Sequence, residues 1–303
     1  MGAGLDLFEG SPAARRVFEQ ADAILDFPLS RLCFQGPQEE LTRTINAQPA
    51  IMAVSLACLA TAREAGLLEA DLGGPAFVAG HSLGEYTALV AAGALTVEEG
   101  LRLVRERGRL MQEAGERAPG TLAAVLGLGE DALLEVCRRT GAEVCNLNAP
   151  GQVVIGGRHE AVAAAIGAAR AAGARRAISL PVNGAFHTSL MRPAVEGMRR
   201  ALEGVRLRGP QIPVVANGSA RPLTKAQEVR EELLYQLDHP VLWQRSVEYM
   251  FSQGAVTFVE MGPGNVLAGL IRRIVPDARA ANIDGLAAIQ AARLSGALPG
   301  KGP

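Results

Sequence analysis

Residues 75–93, PAFVAGHSLGEYTALVAAG, carry a short apolar stretch through His81-Ser82-Leu83, bracketed by Gly80 and Gly84, straight into an Ala-rich helical pattern. A strand that feeds a helix directly belongs to an α/β arrangement, in which the helix packs back onto a mostly parallel sheet. The turn between them has two readings. It fits the G-x-S-x-G elbow, where a sharp strand-to-helix turn lifts a serine hydroxyl above the sheet. It also fits a plain glycine-rich loop. On the elbow reading, both glycines are required because neighbouring backbone approaches too closely for a side chain. The N-terminal amides of the new helix, Leu83 N–H in particular, would then face a reacting oxyanion.

The same rhythm of helical patterns and short β-rich runs continues along the chain. Ser11-Pro12 is an N-cap with proline at the first helical position, predicting a helix to about Asp26. Pro49 is read as opening another, stopped by Gly66. Thr96 and Glu99 form a capping box for a helix from Val97. From Gly120 the pattern becomes β-α-β-β-α-β through residue 182, the order of a ferredoxin-like split unit. It is read as a small subdomain, 119–182, inserted into a large α/β subdomain made of 1–118 and 183–303. Beyond it come a helix over 189–203, a strand over 213–216 and helices over 226–253. The strand TFVEMG, a helix from Asn265 and a tail follow, and the last residues, GALPGKGP, are expected to fray.

At 303 residues the chain can bury a large core. A formal net charge of -1 and a pI near 6.5 argue against the strong fields by which nucleic-acid and membrane-surface proteins gather phosphates. Cys33, Cys58, Cys137 and Cys145 show neither metal spacing nor a paired framework, which fits a reducing compartment. The N-terminus has no apolar signal core, and the longest apolar run, around 50–60, is too short to cross a bilayer. The expectation is a soluble cytoplasmic protein with no metal or cofactor.

A nucleophilic serine needs a base, and the chain has four histidines. His81 adjoins the serine and is either structural or pocket-lining. His159 starts a helix of the small subdomain and reads as surface; His239, before a proline, reads as a helix cap. His187, in LPVNGAFHTSLM, sits where the chain re-enters the large subdomain, as a catalytic side chain or as a cap of the next helix. Arg107 stands out differently. Three and four residues to either side lie Leu103, Val104, Leu110 and Met111, so it projects from the apolar stripe of its helix. Arg102 and Arg109 have acidic neighbours and read as solvated. An inward cation needs an anion, either a buried protein carboxylate or a substrate carboxylate gripped by the guanidinium fork. Serine, histidine and buried arginine together suggest transfer of an acyl group that carries its own negative charge.

The segments GHSLGEYTALVAAGAL, RLVRERGRLMQEA, NLNAPGQVVIGG, GAFHTSLM, PVVANGSA and EMGPGNVL resemble, in order, the malonyl-CoA:acyl carrier protein transacylase family. The resemblance runs from about residue 5 to 275. It implies an α/β-hydrolase-like large subdomain with an inserted ferredoxin-like one. It also implies a ping-pong reaction, in which Ser82 takes the malonyl group from malonyl-CoA and the thiol of acyl carrier protein removes it. By the same resemblance His187 is the base, oriented by the backbone carbonyl of Gln236 instead of an acid, and Arg107 holds the malonyl carboxylate. Phe186 stands where related malonyl-selective domains use a bulky ring against an α-methyl group, a preference of ~1–3 kcal/mol. Such carrier proteins are acidic, so Arg192, Arg199, Arg200, Arg206 and Arg208 are candidate docking residues, or a merely solvated helix face.

Family members begin with a strand and a PGQGSQ loop that supplies a second oxyanion amide, whereas this sequence opens at MGAGLDLFEG. The expectation is an upstream extension of about a dozen residues, a short strand and its loop. Without it the chain would be a weak enzyme or a carrier-binding module. An esterase or thioesterase of the α/β-hydrolase type shares the elbow but needs an acidic triad member and leaves Arg107 unexplained. The protein is expected to be a monomer.

Overall fold

The computed structural model describes residues 2–67, 74–182 and 184–295, and two of its longer helices start where the sequence supplies caps. Ser11 Oγ accepts the Ala14 N–H, with Pro12 next, and the helix Pro12–Leu25 follows. The reciprocal Thr96–Glu99 box opens Val97–Arg117. The helix expected from Pro49 instead spans Thr44–Glu64 with Pro49 inside it. It is wedged between Pro12–Leu25 and Val97–Arg117. At Gly108 the backbones come so close that a Cβ there would lie 2.6 Å from Thr44 O. That packing outweighs the one hydrogen bond a proline forfeits. At 21 residues this helix is long and apolar enough to cross a membrane, unlike the shorter run expected, yet most of it is buried in the core.

The strands are β1 Val78–Ala79, β2 Thr121–Leu126, β3 Glu143–Ala149, β4 Gln152–Gly157, β5 Arg176–Ser179, β6 Val214–Val215, β7 Pro222–Leu223, β8 Thr257–Met261 and β9 Arg279–Ile283. β1 and β6 pair in parallel, Val78 opposite Val214 and Ala79 opposite Val215, with β7 antiparallel on the far side of β6. The chain segments after β1 and β6 therefore leave the sheet at the same end, side by side. β8 and β9 form a second parallel pair. β9 and the helix Leu286–Ser295 occupy the stretch whose sequence reads as tail. The half-exposed, alanine-rich β9 carries a weak strand signal of its own and is fixed by its pairing with β8.

Between Thr121 and Ser179 the antiparallel order β3-β4-β2-β5 is the ferredoxin-like arrangement expected. Ala123, Val125 and Ile155 face the helices Glu130–Thr140 and His159–Ala171. Leu122, Cys145 and Val154 face the other way, against Leu180, Val182 and Phe186 on the segment leading to His187. The small sheet is also tied to the rest of the chain. Leu147 N–H donates to Val241 O at 2.9 Å, and Val241 N–H to Cys145 O at 2.8 Å. Asn183, where the large subdomain was expected to resume, and the tail 296–303 lie outside the described residues.

Candidate active site

Ser82 follows β1 directly and has φ 53, a left-handed conformation that is costly for a non-glycine residue. The turn closes because Gly80 has no side chain: a Cβ there would sit 2.0 Å from the Gly84 carbonyl carbon. Gly84 is different from the expectation, since a Cβ on it would meet nothing within 4 Å. Only the first glycine is demanded by close backbone. The helix Gly84–Ala91 starts at once, and the Leu83 N–H at its head has no acceptor among the described residues.

His187 has φ 61, so the residue facing Ser82 is also held in the left-handed region. Its Nε2 lies 2.7 Å from Ser82 Oγ and its Nδ1 2.7 Å from Gln236 O. A carbonyl can only accept, so Nδ1 carries the proton and Nε2 presents its lone pair to the serine hydroxyl. Burial, helped by the neighbouring Arg107 charge, lowers the His187 pKa to about 3. The imidazole is therefore neutral at neutral pH, the form a base must have. The loop after it is clamped by β3, whose Glu143 carboxylate accepts the Ser189 N–H at 3.0 Å and the Ser189 hydroxyl at 2.5 Å.

Arg107 is 1% exposed, as its apolar neighbours required. Its guanidinium donates to Gln48 Oε1 at 2.8 Å, Gln236 Oε1 at 2.7 Å and Ser82 Oγ at 3.1 Å. Among the described residues no carboxylate forms a salt bridge with it. The ring of Tyr86 lies beneath, 5.5 Å from the guanidinium carbon to the centroid. Arg102 and Arg109 pair with Glu98 and with Glu106 and Glu113 at the surface, as expected.

Ser82, His187, Arg107 and Gln236 thus meet, with Leu83 beside the serine. Phe186 is half-buried, its ring against Gly184 and the Leu122–Cys145–Val154 cluster, and no hydrogen-bonding role falls to it. His81 Nε2 bonds Asn148 Oδ1 at 2.8 Å; His159 is exposed; His239 Nδ1 bonds Tyr235 O at 2.9 Å, capping a helix. Three residues were not foreseen. Gln48 grips Arg107 from inside the helix Thr44–Glu64, although its place before Pro49 predicts a position outside any helix. Asn217 Oδ1 accepts the Ser82 N–H at 2.6 Å, and its Nδ2 donates to Gly80 O at 2.8 Å. Glu85 is fully buried between Asn217 and Gln236. The only sequence signal for it was its place in GHSLGEY, where an acid at a helix start reads as a dipole partner.

An acyl transferase domain family model matches residues 1–291. The malonyl CoA-acyl carrier protein transacylase of Bacillus subtilis strain 168 is 42% identical over 279 residues, covering 90% of this chain and 86% of that protein. The protein of the same name from Escherichia coli K12 is 40% identical over 95% of this chain and 93% of its own length. The acyl-carrier-protein-S-malonyltransferase structure from Bartonella henselae superposes with TM-score 0.92 at 40% identity, covering 98% of this chain and 95% of that one. A malonyl-transacylase solved in complex with a type II PKS acyl-carrier protein gives TM-score 0.92 at 38% identity, covering 97% and 95%. An elbow serine backed by a neutral histidine and a buried arginine, with this similarity along nearly the whole length, places the chain in the acyl transferase domain family.

Proposed function

We propose that this chain transfers a malonyl group from malonyl-CoA to the thiol of acyl carrier protein through an ester on Ser82, supplying fatty acid synthesis. The observation that carries the reading is the Arg107 guanidinium, buried, held by neutral amides and 3.1 Å from the Ser82 hydroxyl. A cation kept in that way is ready for an anionic acyl group. In the first half-reaction the Ser82 proton passes to His187 Nε2 while Oγ bonds the thioester carbonyl carbon. The Leu83 N–H faces the resulting oxyanion. The C–S bond then breaks and the CoA sulfur leaves with the proton from His187. In the second, the carrier thiol gives its proton to Nε2, its sulfur attacks the ester, and Ser82 Oγ recovers the proton as it leaves.

Gln236 O keeps the imidazole in the right tautomer, and the Phe186 ring disfavours an α-methyl on the acyl group. The working unit is read as a monomer in the cytoplasm. Intact mass after mixing with malonyl-CoA should rise by one malonyl group, mapped by tryptic digestion to Ser82. Ser82→Ala should remove that label. A label that survives the substitution overturns the assignment. No ester, and no labelling of Ser82 by a serine-directed fluorophosphonate, would leave a carrier-binding module instead.

A further inference from the structure

Two buried amide residues, Asn217 and Gln236, between them hold all three groups proposed for the chemistry. Asn217, fully buried, accepts the Ser82 N–H through Oδ1 at 2.6 Å. Gln236, also fully buried, donates through Nε2 to Ser82 O at 2.9 Å and accepts Arg107 through Oε1 at 2.7 Å. The Gln236 backbone carbonyl holds His187 at 2.7 Å. Both supports converge on one carboxylate. Glu85 Oε1 accepts the Asn217 N–H at 2.8 Å, and Oε2 accepts Gln236 Nε2 at 2.6 Å.

We infer that Glu85 is a positioning residue, which fixes Ser82 through Asn217 and orients the Gln236 amide so that its oxygen, not its nitrogen, meets Arg107. An amide has one accepting end and one donating end. With Glu85 and Ser82 O both accepting, the Gln236 NH2 must point their way, and Oε1 is left for the guanidinium. Burial and the neighbouring Glu232 push the Glu85 carboxyl well above the usual carboxylate range, with the pull of Arg107 a smaller influence in the opposite direction. Among the described residues the guanidinium donates only to uncharged oxygens, those of Gln48, Gln236 and Ser82. A carboxylate bound directly to Arg107 would compete with an acyl carboxylate; one acting through an amide does not. This inference rests on the malonyl-transfer reading.

Glu85→Gln tests it. A glutamine there cannot accept from both neighbours, and its NH2 opposes either the Asn217 N–H or the Gln236 NH2. Turning the Gln236 amide relieves the second clash but aims its NH2 at Arg107. Single-turnover acylation of Ser82 by malonyl-CoA and by acetyl-CoA is measured alongside thermal unfolding. A folded Glu85→Gln protein should acylate with malonyl about 10²-fold more slowly. The malonyl-over-acetyl ratio should fall about tenfold, and Glu85→Asp should recover part of it. Asn217→Ala cuts only the serine arm and should slow both acyl groups alike. Unchanged rates in Glu85→Gln, or equal losses for the two acyl groups there, overturn the inference. If Glu85→Gln does not fold, unchanged rates in Asn217→Ala overturn it. Failure of the unsubstituted protein to form any malonyl ester strikes the functional reading instead.

Discussion

An arginine in an apolar core is expensive unless every N–H finds an acceptor and the charge finds a counterpart. Arg107 has acceptors in Gln48, Gln236 and Ser82, but its buried Nε–H has none and no carboxylate pairs with it among the described residues. That arrangement predicts a substrate-dependent effect of truncation. Arg107→Ala should lower malonyl transfer by about 10²-fold or more, because a buried charge-assisted pair is lost. Acetyl transfer, which has no carboxylate to seat, should be spared or improved. Lysine should rescue only in part, lacking the planar fork. Steady-state kinetics with both acyl-CoA substrates decide, and equal losses would make Arg107 structural. His187 carries a second residue-scale prediction. Its pKa is lowered to about 3 by burial and by Arg107, so it stays unprotonated well below the usual histidine range. The sign follows: the base is competent at neutral pH and is lost only as pH falls toward 3. The acylation rate should therefore show no acid limb near 6.5, the ordinary histidine value. A limb at that pH, abolished by replacing His187, would contradict the environment described.

Among the elements, the elbow is the most constrained, and its two glycines are not equivalent. Gly80→Ala would drive a methyl to 2.0 Å from the Gly84 backbone, whereas Gly84→Ala enters open space. The first should destabilise by at least ~1–3 kcal/mol, the usual range for overpacking, and displace Ser82. The second should leave the melting temperature within a few degrees and the fluorophosphonate reaction of Ser82 intact. Equal behaviour of the two variants would mean that the turn is looser than its geometry. The elbow's existence was legible because it is local: strand, glycines and helix are consecutive in the sequence. The same holds for the Thr96–Glu99 cap and for Arg107, whose burial follows from residues within one turn of its helix. What the sequence hid is what depends on register. Asn217 reaches Gly80 and Ser82 only because β1 and β6 run parallel with Ala79 opposite Val215. Gln48 reaches Arg107 only because tertiary packing carries a helix through Pro49. Neither pairing leaves a trace in local composition.

At the scale of the whole molecule, the site sits where parallel strands end, as ligand sites in open α/β sheets do. The antiparallel sheet belongs to the same frame, since β3 clamps the His187 loop through Glu143 and joins Val241 through its backbone. The helix Arg192–Glu203 leaves that loop and carries Arg192, Arg199 and Arg200, while Arg206 and Arg208 lie on the segment after it. Most of that charge is already paired. Arg199 and Arg200 lie 3.5 and 3.2 Å from Glu196, Arg192 lies 3.6 Å from Asp238, and Arg208 lies 3.0 Å from Glu99. The exposed pairs with Glu196 contribute only ~0–1 kcal/mol each, so an acidic partner can take over Arg199 and Arg200 at little cost. Reversing both Arg199 and Arg200 to Glu leaves three like charges, with Glu196, on one exposed helix face. The KM for acyl carrier protein should rise several-fold at low ionic strength through loss of steering. The effect should fade toward 1 M salt, where the screening length falls to about 3 Å. The malonyl-CoA half-reaction should be unaffected, because neither arginine touches Ser82, His187 or Arg107. An unchanged carrier KM at low salt would make this a solvated helix face and move the docking surface elsewhere on the molecule.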